Sequence, residues 1–355
     1  MKSRARLACF LALAWFCLAT LQLRADDATL DIYWIDVEGG GGTLIVTPAK
    51  ESILIDTGWS SGPSVSRIHD AARNAGLSKI DYLILTHFHS DHFGGAASLA
   101  GLMPIGTVLD NGIPQHDPDG GNDQNFLAAI KPYREFAADR RKQVQPGETL
   151  PLKQAGAIPL SFRFMGARKH YAHPPGMGGL NSLCSDATRL ETDTSDNPNS
   201  VVSLLQFGSF KFYDGGDLTW NMEGDMVCPT NSIGHVDVYQ TDHHGVENAN
   251  NPVLIRSLAP TVSVMNNGPR KGGSRQTLAT LRSVSSIQTM FQVHRDLRGG
   301  TEWNTDDEYV ANVEEKCSGN YIKCSVDSSG KSYTISIPAR NFSRTYQTKT
   351  TEAGP

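Results

Sequence analysis

Short apolar runs broken by Gly, Pro and polar clusters recur along this chain. Ile32–Ile35, Thr43–Val46 and Ser52–Ile55 are rich in β-formers and are separated by Gly39–Gly42 and by Pro48-Ala49-Lys50, a pattern that predicts a strand meander. Pro63 to Ala75 has a helical composition ended by Gly76, and Tyr82–Leu85 predicts the next strand. A helix is expected after Asp91-His92, a strand over Gly106–Leu109, a helix from Gln124 to about Arg141, and strands near Glu148–Leu152 and Leu160–Phe164. The stretch from Ala167 to Pro198 is long, polar and proline-bearing, as covers and loops are. Strands resume over Ser200–Leu205, Ser209–Tyr213 and Val236–Tyr239. They continue as helix Pro252–Leu258, strand Thr261–Met265, helix Arg275–Val284 and strand Thr289–Val293, before a hairpin-like end. Alternating strands and helices predict an α/β layered fold. No linker divides the chain, so residues 26–340 are expected to form a single domain of two similar halves, with a long insertion at about 110–198 and a C-terminal tail at 341–355.

The amino terminus changes that picture. Lys2, Arg4 and Arg6 precede the apolar run Leu7–Leu18, and small residues end near Ala25 before Asp26-Asp27, the signature of a secretory signal peptide over 1–25. No later segment approaches the length of a membrane span, so the mature protein is expected to be secreted or periplasmic without a transmembrane segment. The whole chain has 32 Lys and Arg against 37 Asp and Glu, a formal charge of −5, and losing Lys2, Arg4, Arg6 and Arg24 with the leader deepens it to −9. That balance does not favour non-specific nucleic-acid binding, which depends on Lys and Arg contacts to phosphate. Cys184, Cys228, Cys317 and Cys324 remain, and an oxidising compartment allows them to pair in three ways. The spacing CSGNYIKC favours Cys317 with Cys324 across a hairpin loop, leaving Cys184 with Cys228 as the second staple.

The chemistry concentrates in His87-Phe88-His89-Ser90-Asp91-His92, three imidazoles and a carboxylate directly after an apolar strand. Such donors suit zinc and related divalent ions. One loop cannot saturate two ions, so further ligands are expected at other strand ends. Asp214-Gly215-Gly216-Asp217 follows the strand ending at Tyr213, and Asp242-His243-His244-Gly245 follows the strand Val236–Gln240. Alone, each reads equally well as a turn. Trp59 and Trp220 follow these motifs closely and read either as pocket walls or as core. No Gly-x-Ser-x-Gly elbow and no Walker loop is present, which leaves serine and nucleotide chemistry unsupported.

The chain resembles the metallo-β-lactamase superfamily through Ile55-Asp56-Thr57-Gly58, the His87-x-His89-x-Asp91-His92 string, Gly216-Asp217 and His243-His244-Gly245. More narrowly it is similar to the soluble hydrolase domain of the ComEC family of DNA-uptake proteins, through Asp36-Val37-Glu38-Gly39-Gly40-Gly41 and Asn197-Pro198-Asn199-Ser200-Val201-Val202. The resemblance implies a four-layer αβ/βα sandwich with metals at one edge. It implies that His87 and His89 hold one ion, that Asp91 and His92 hold a second, that Asp217 bridges, and that His243 or His244 completes the second site. Asp56 would orient a ligand imidazole. Where many members have a further histidine, this chain has Asn197, Asn199 and Ser200, which makes manganese an alternative to zinc and one ion an alternative to two.

The expected function is an exported hydrolase using metal-bound hydroxide, with Asp91, Asp217 and His244 as catalytic residues and a phosphodiester or small molecule as substrate. Hydrolysis of a lactone, thioester or β-lactam is the alternative, and a binding protein that kept the fold without the chemistry is a reading of another class.

Overall fold

The computed structural model describes residues 28–174 and 178–349; the leader expected over 1–25 and the end of the chain from 350 lie outside the described residues. Among the described residues no helix is long and apolar enough to cross a membrane.

Strands β1 (Leu30–Trp34), β2 (Thr43–Val46) and β3 (Ser52–Ile55) form the antiparallel meander that the glycine and proline punctuation predicts. The chain then winds through α1 (Ser64–Asn74), β4 (Ile80–Ile84), the single turn α2 (Ser90–Phe93), α3 (Ala96–Ala100), β5 (Ile105–Asp110), α4 (Asp123–Glu135) and β6 (Arg140–Gln143). From β3 to β6 the neighbours are parallel, and parallel neighbours need crossovers, here largely helical. The second half follows with β7 (Leu160–Ala167), β8 (His170–Tyr171), β9 (Gly179–Leu180), β10 (Val202–Phe207), β11 (Phe210–Asp214), α5 (Trp220–Val227), β12 (Thr230–Asn231) and β13 (Val238–Gln240). It continues through α6 (Pro252–Leu258), β14 (Val262–Met265), α7 (Arg275–Ser283), β15 (Thr289–His294) and β16 (Val310–Asn312). Finally β17 (Ile322–Val326), β18 (Ser332–Ile337) and β19 (Phe342–Gln347) return to the first sheet.

The nine-stranded sheet runs β19-β18-β17-β1-β2-β3-β4-β5-β6, and the eight-stranded sheet β16-β15-β14-β13-β11-β10-β7-β8. Because neighbouring side chains on a strand face opposite ways, each central strand feeds two cores. Ile32, Trp34 and Ile53 point between the sheets toward Leu205, Phe212 and Val264. Tyr33, Leu44 and Leu54 face Ile68, Leu99 and Ile130 of the first helix layer, and Leu204, Tyr213 and Tyr239 face Met226, Leu254 and Leu278 of the other. This is the expected four-layer αβ/βα sandwich. Trp34 fastens the halves: its ring meets Phe212 edge-on at 5.6 Å and its Nε1 donates to Gln240 Oε1 at 2.8 Å, sparing a buried N–H whose loss of partner costs about 1–3 kcal/mol.

Several expectations are corrected. The helix from Gln124 ends at Glu135, one turn after Pro132, and residues 140–143 pair with β5 instead. Glu148–Leu152 is no strand; it meets β7 through an isolated bridge between Thr149 and Arg163. Within the region expected as a long insertion at about 110–198, β6 and β7 belong to the two main sheets. Within the expected C-terminal tail, Phe342–Gln347 pairs with β18, giving its backbone groups partners. Cys184 and Cys228 form the expected disulfide with Cα atoms 5.7 Å apart, but Cys317 and Cys324 are both free thiols. Cys324 lies inside β17 between the sheets, in register with Ile32 and Ile335, where no loop cysteine can reach it.

Candidate metal centre

Parallel strands bring their carboxyl ends to one edge, and the chemistry-bearing residues stand just past the ends of β4, β11 and β13 there. The first half delivers its ligands locally. Asp91 and His92 lie on α2, and Gly41 packs so tightly beneath them that a Cβ there would come within 2.5 Å of Asp56 Oδ2 and 2.8 Å of His92 Nδ1. The second half relies on backbone held elsewhere. His243 (φ 49°, ψ 47°) and His244 (φ 54°, ψ 13°) are consecutive left-handed residues, costing about 1–2 kcal/mol each. Partners hold them: His243 N donates to Gly216 O, Gly273 N to His244 O, and Asn250 Nδ2 to Asp242 O.

Asp91, His92, Asp217 and His244 are all buried and place one donor atom each within 4.8 Å of the others. His92 Nε2 lies 3.3 Å from Asp91 Oδ2, 3.2 Å from Asp217 Oδ2 and 3.2 Å from His244 Nε2. His244 Nε2 lies 3.3 Å from Asp91 Oδ2 and 3.2 Å from Asp217 Oδ2. A tetrahedral zinc with bonds of about 2.0–2.1 Å separates its donors by about 3.3–3.4 Å. These edges match that figure, so the residues fit such an ion. His87 Nε2 is 2.9 Å from His89 Nδ1 and 3.9 Å from Asp217 Oδ2, bordering the group on its other side. His243 Nε2 stands 3.6 Å from Asp217 Oδ2 with its Nδ1 unpartnered. Thus all seven sequence-predicted ligands converge, and of the two adjacent histidines His244 belongs to the four-donor group.

Supporting contacts fix the ring orientations. Asp56 Oδ2 holds His92 Nδ1 at 2.6 Å while its carboxylate also takes Thr86 N and Thr86 Oγ1, so Asp56 braces a ligand as metal sites commonly require. Burial disfavours charge on His92, but Asp217, Asp56 and Asp91 outweigh it and raise its pKa well above the ordinary value. Burial likewise opposes the charged forms of Asp91 and Asp217, yet the surrounding histidines hold both well below the usual carboxylate range. His87 and His243 are pushed down by burial first and by neighbouring imidazoles next.

Lys271 and Asp119 escaped the sequence reading. Lys271, on the turn after β14, contacts Asp91 Oδ2 and lies 4.7 Å from the Trp59 ring centroid. Its signal was only a further glycine-rich turn past a strand. Asp119 holds His89 Nε2 at 2.9 Å, and Ser200 Oγ lies 3.5 Å from His87 Nδ1. Asn197 Oδ1 is buried without a partner. Trp220 is buried, donates to Thr188 O, and lines a cavity of about 630 Å³ with residues 190–195 and Asn197. His173 bonds Ser232 and His170 is exposed on β8, so neither stands in the four-donor group.

The model of the metallo-beta-lactamase superfamily matches residues 38–180. Atrochrysone carboxyl ACP thioesterase of Passalora fulva is 34% identical over 90 residues, which cover 25% of this chain and 26% of that protein. Recombination protein 2 of Haemophilus influenzae is 24% identical over 266 residues, covering 74% of this chain and 27% of that protein. Among solved structures, a diphosphatase of the PhnP family has a TM-score of 0.37 at 12% identity, covering 74% of this chain and 94% of that one. The chain spans about a quarter of the length of these two curated relatives.

Proposed function

We propose that this chain, a four-layer sandwich of metallo-β-lactamase type, is an exported metal-dependent hydrolase acting on phosphodiester bonds. The single observation that carries the reading is the set of buried donors at tetrahedral spacing contributed by both halves of the fold. Divalent ions bound there would lower the pKa of a water molecule and stabilise the charge that develops on the attacked group. Asp91, His92, Asp217 and His244 would hold one ion, and His87, His89 and Asp217 could contribute to a second. Zinc suits this donor set, and manganese is the alternative where oxygen donors dominate.

His244 belongs to the four-donor group, which leaves His243 to handle the proton. Its ring could take up the proton released by the attacking water and, as imidazolium, return it to the leaving group; its buried Nδ1 is unpartnered and free for such a transfer. Lys271, at the rim beside Trp59, supplies positive charge for an anionic substrate. The long alignment with a recombination protein supports a nucleic-acid-like phosphodiester, as in the ComEC-type reading. Export rests on the amino-terminal signal pattern and is supported by the Cys184–Cys228 disulfide.

A second reading, thioester hydrolysis, is favoured by the thioesterase relative. Assays of chelator-treated protein on bis-p-nitrophenyl phosphate, single-stranded DNA, an acyl thioester, a lactone and nitrocefin, with zinc or manganese restored, separate the two. Cleavage of the phosphodiesters alone is expected. Thioester turnover without phosphodiester turnover overturns the substrate assignment, and fully metal-loaded protein inert on all five makes it a binding protein. His243→Ala is expected to keep its metal and lose about a hundredfold or more in turnover.

A further inference from the structure

A second mixed donor cluster lies outside the centre described above. Asp36 just past β1, His294 at the end of β15 and Cys317 in the loop before β17 each place one donor atom within 4.8 Å of the others. Asp36 and His294 are fully buried and Cys317 is half-buried. Cys317 Sγ donates to Asp36 Oδ2 at 3.1 Å. His294 Nδ1 is taken up by Arg295 O at 2.8 Å, while its Nε2 is buried with no partner at all. A buried imidazole nitrogen left in that state costs about 1–3 kcal/mol, and an N–H to one side with a bare lone pair on the other is the form in which histidine binds metals.

We propose that Asp36, His294 and Cys317 form a separate, sulfur-containing site for a divalent cation of the zinc class. Thiolate, imidazole and carboxylate together favour such an ion, and bonds of about 2.0–2.3 Å require donors about 3.3–3.6 Å apart, within the reach of a rotation of the Cys317 side chain. Binding replaces the thiol proton, which leaves to solvent, with the metal–sulfur bond. Arg67 already lies 3.0 Å from Asp36 Oδ2 and 3.4 Å from Glu38 Oε1, so the anionic groups exceed its single charge once the thiolate forms. Each carboxylate oxygen has two lone pairs, so Asp36 can serve Arg67 and the ion together.

The site braces a loop that matters elsewhere. Asp36 Oδ1 accepts Glu38 N at 2.9 Å, Gly39 packs against the Gly268–Lys271 turn, and Gly41 N donates to Asp91 O at 3.0 Å. The cation would pin the start of the glycine-rich loop that floors the other centre.

Sulfur supplies the test, because the group around Asp91 has no sulfur donor. The full chain is loaded with Co²⁺, and the thiolate-to-cobalt charge-transfer band is recorded in the near ultraviolet. The band is expected in the unaltered protein and in His244→Ala, and absent in Cys317→Ser, which should hold about one equivalent less metal than the parent. His294→Gln, checked for folding by circular dichroism, should weaken Co²⁺ binding at the band at least tenfold. No band in the unaltered protein, or equal metal content with and without Cys317, overturns the site. Neither result touches the hydrolase reading, which depends on the other donors.

Discussion

The two halves of this molecule bring ligands to one centre by opposite means. In the first half, Asp91 and His92 come from six consecutive positions on a strand-to-helix turn, so their mutual placement is fixed by local geometry. In the second half, Asp217 and His244 lie 27 positions apart on different strand ends, and the left-handed turn at 243–244 is held by His243 N to Gly216 O, Gly273 N to His244 O and Asn250 Nδ2 to Asp242 O. The difference teaches where strain belongs: local ligands need only a suitable turn, whereas distant ones need the finished fold to impose a conformation that an isolated loop would avoid.

The largest effects come from ligand loss, and a paired glycine replacement sharpens the contrast. His92→Gly and His244→Gly should each weaken zinc binding more than about a hundredfold by competition with a chelating dye, above the 10–100-fold range of residues that merely orient a ligand. Their metal-free stabilities should then part. Glycine within α2 adds a penalty of about 0.5–1 kcal/mol, whereas glycine at the left-handed position 244 relieves one. Equal thermal midpoints for the two would break the comparison.

Asp56→Asn touches no ion and should loosen metal about 10–100-fold while the fold persists, since Asp56 sets the His92 ring. Zinc titration with unchanged circular dichroism checks this; undiminished affinity would mean that Asp56 does not set that ring.

The smallest effect contrasts the two edges of one sheet. At the metal edge, neighbouring histidines hold Asp217 low, but Asp237, at the start of β13, is pushed up to about 6 by burial, which the backbone N–H groups of Lys349 and Lys211 offset only in part. Its folded pKa exceeds its ordinary value, so ionisation penalises the fold as pH rises through about 4 to 6. Relative to Asp237→Asn, the parent should therefore lose about 2 kcal/mol of stability across that window, read from denaturant melts at pH 4 and pH 7. A difference that stays constant with pH would remove the contrast.

Much of this was legible in the sequence. Apolar runs of strand length and glycine stops located β1 to β5 within a residue or two, because burial on both faces leaves long apolar strings. The errors fell where tertiary pairing outvoted local pattern: Arg140–Gln143 is polar yet completes a parallel edge, and Phe342–Gln347 gains strand form only by lying against β18. The Cys317–Cys324 pairing failed for the same reason, since seven positions in sequence say nothing about which face of β17 a thiol occupies.

What the sequence determined by itself was the supply of donors and the strand ends that carry them, because ligand type and turn chemistry are properties of adjacent residues. Only the tertiary structure decided which of His243 and His244 joins Asp91, that Lys271 stands at the rim, and that Asp36, His294 and Cys317 meet. Those choices depend on the register and packing of strands far apart in the chain, and distances of 3 Å between residues 150 or more positions apart exist only once both sheets have closed on their common core.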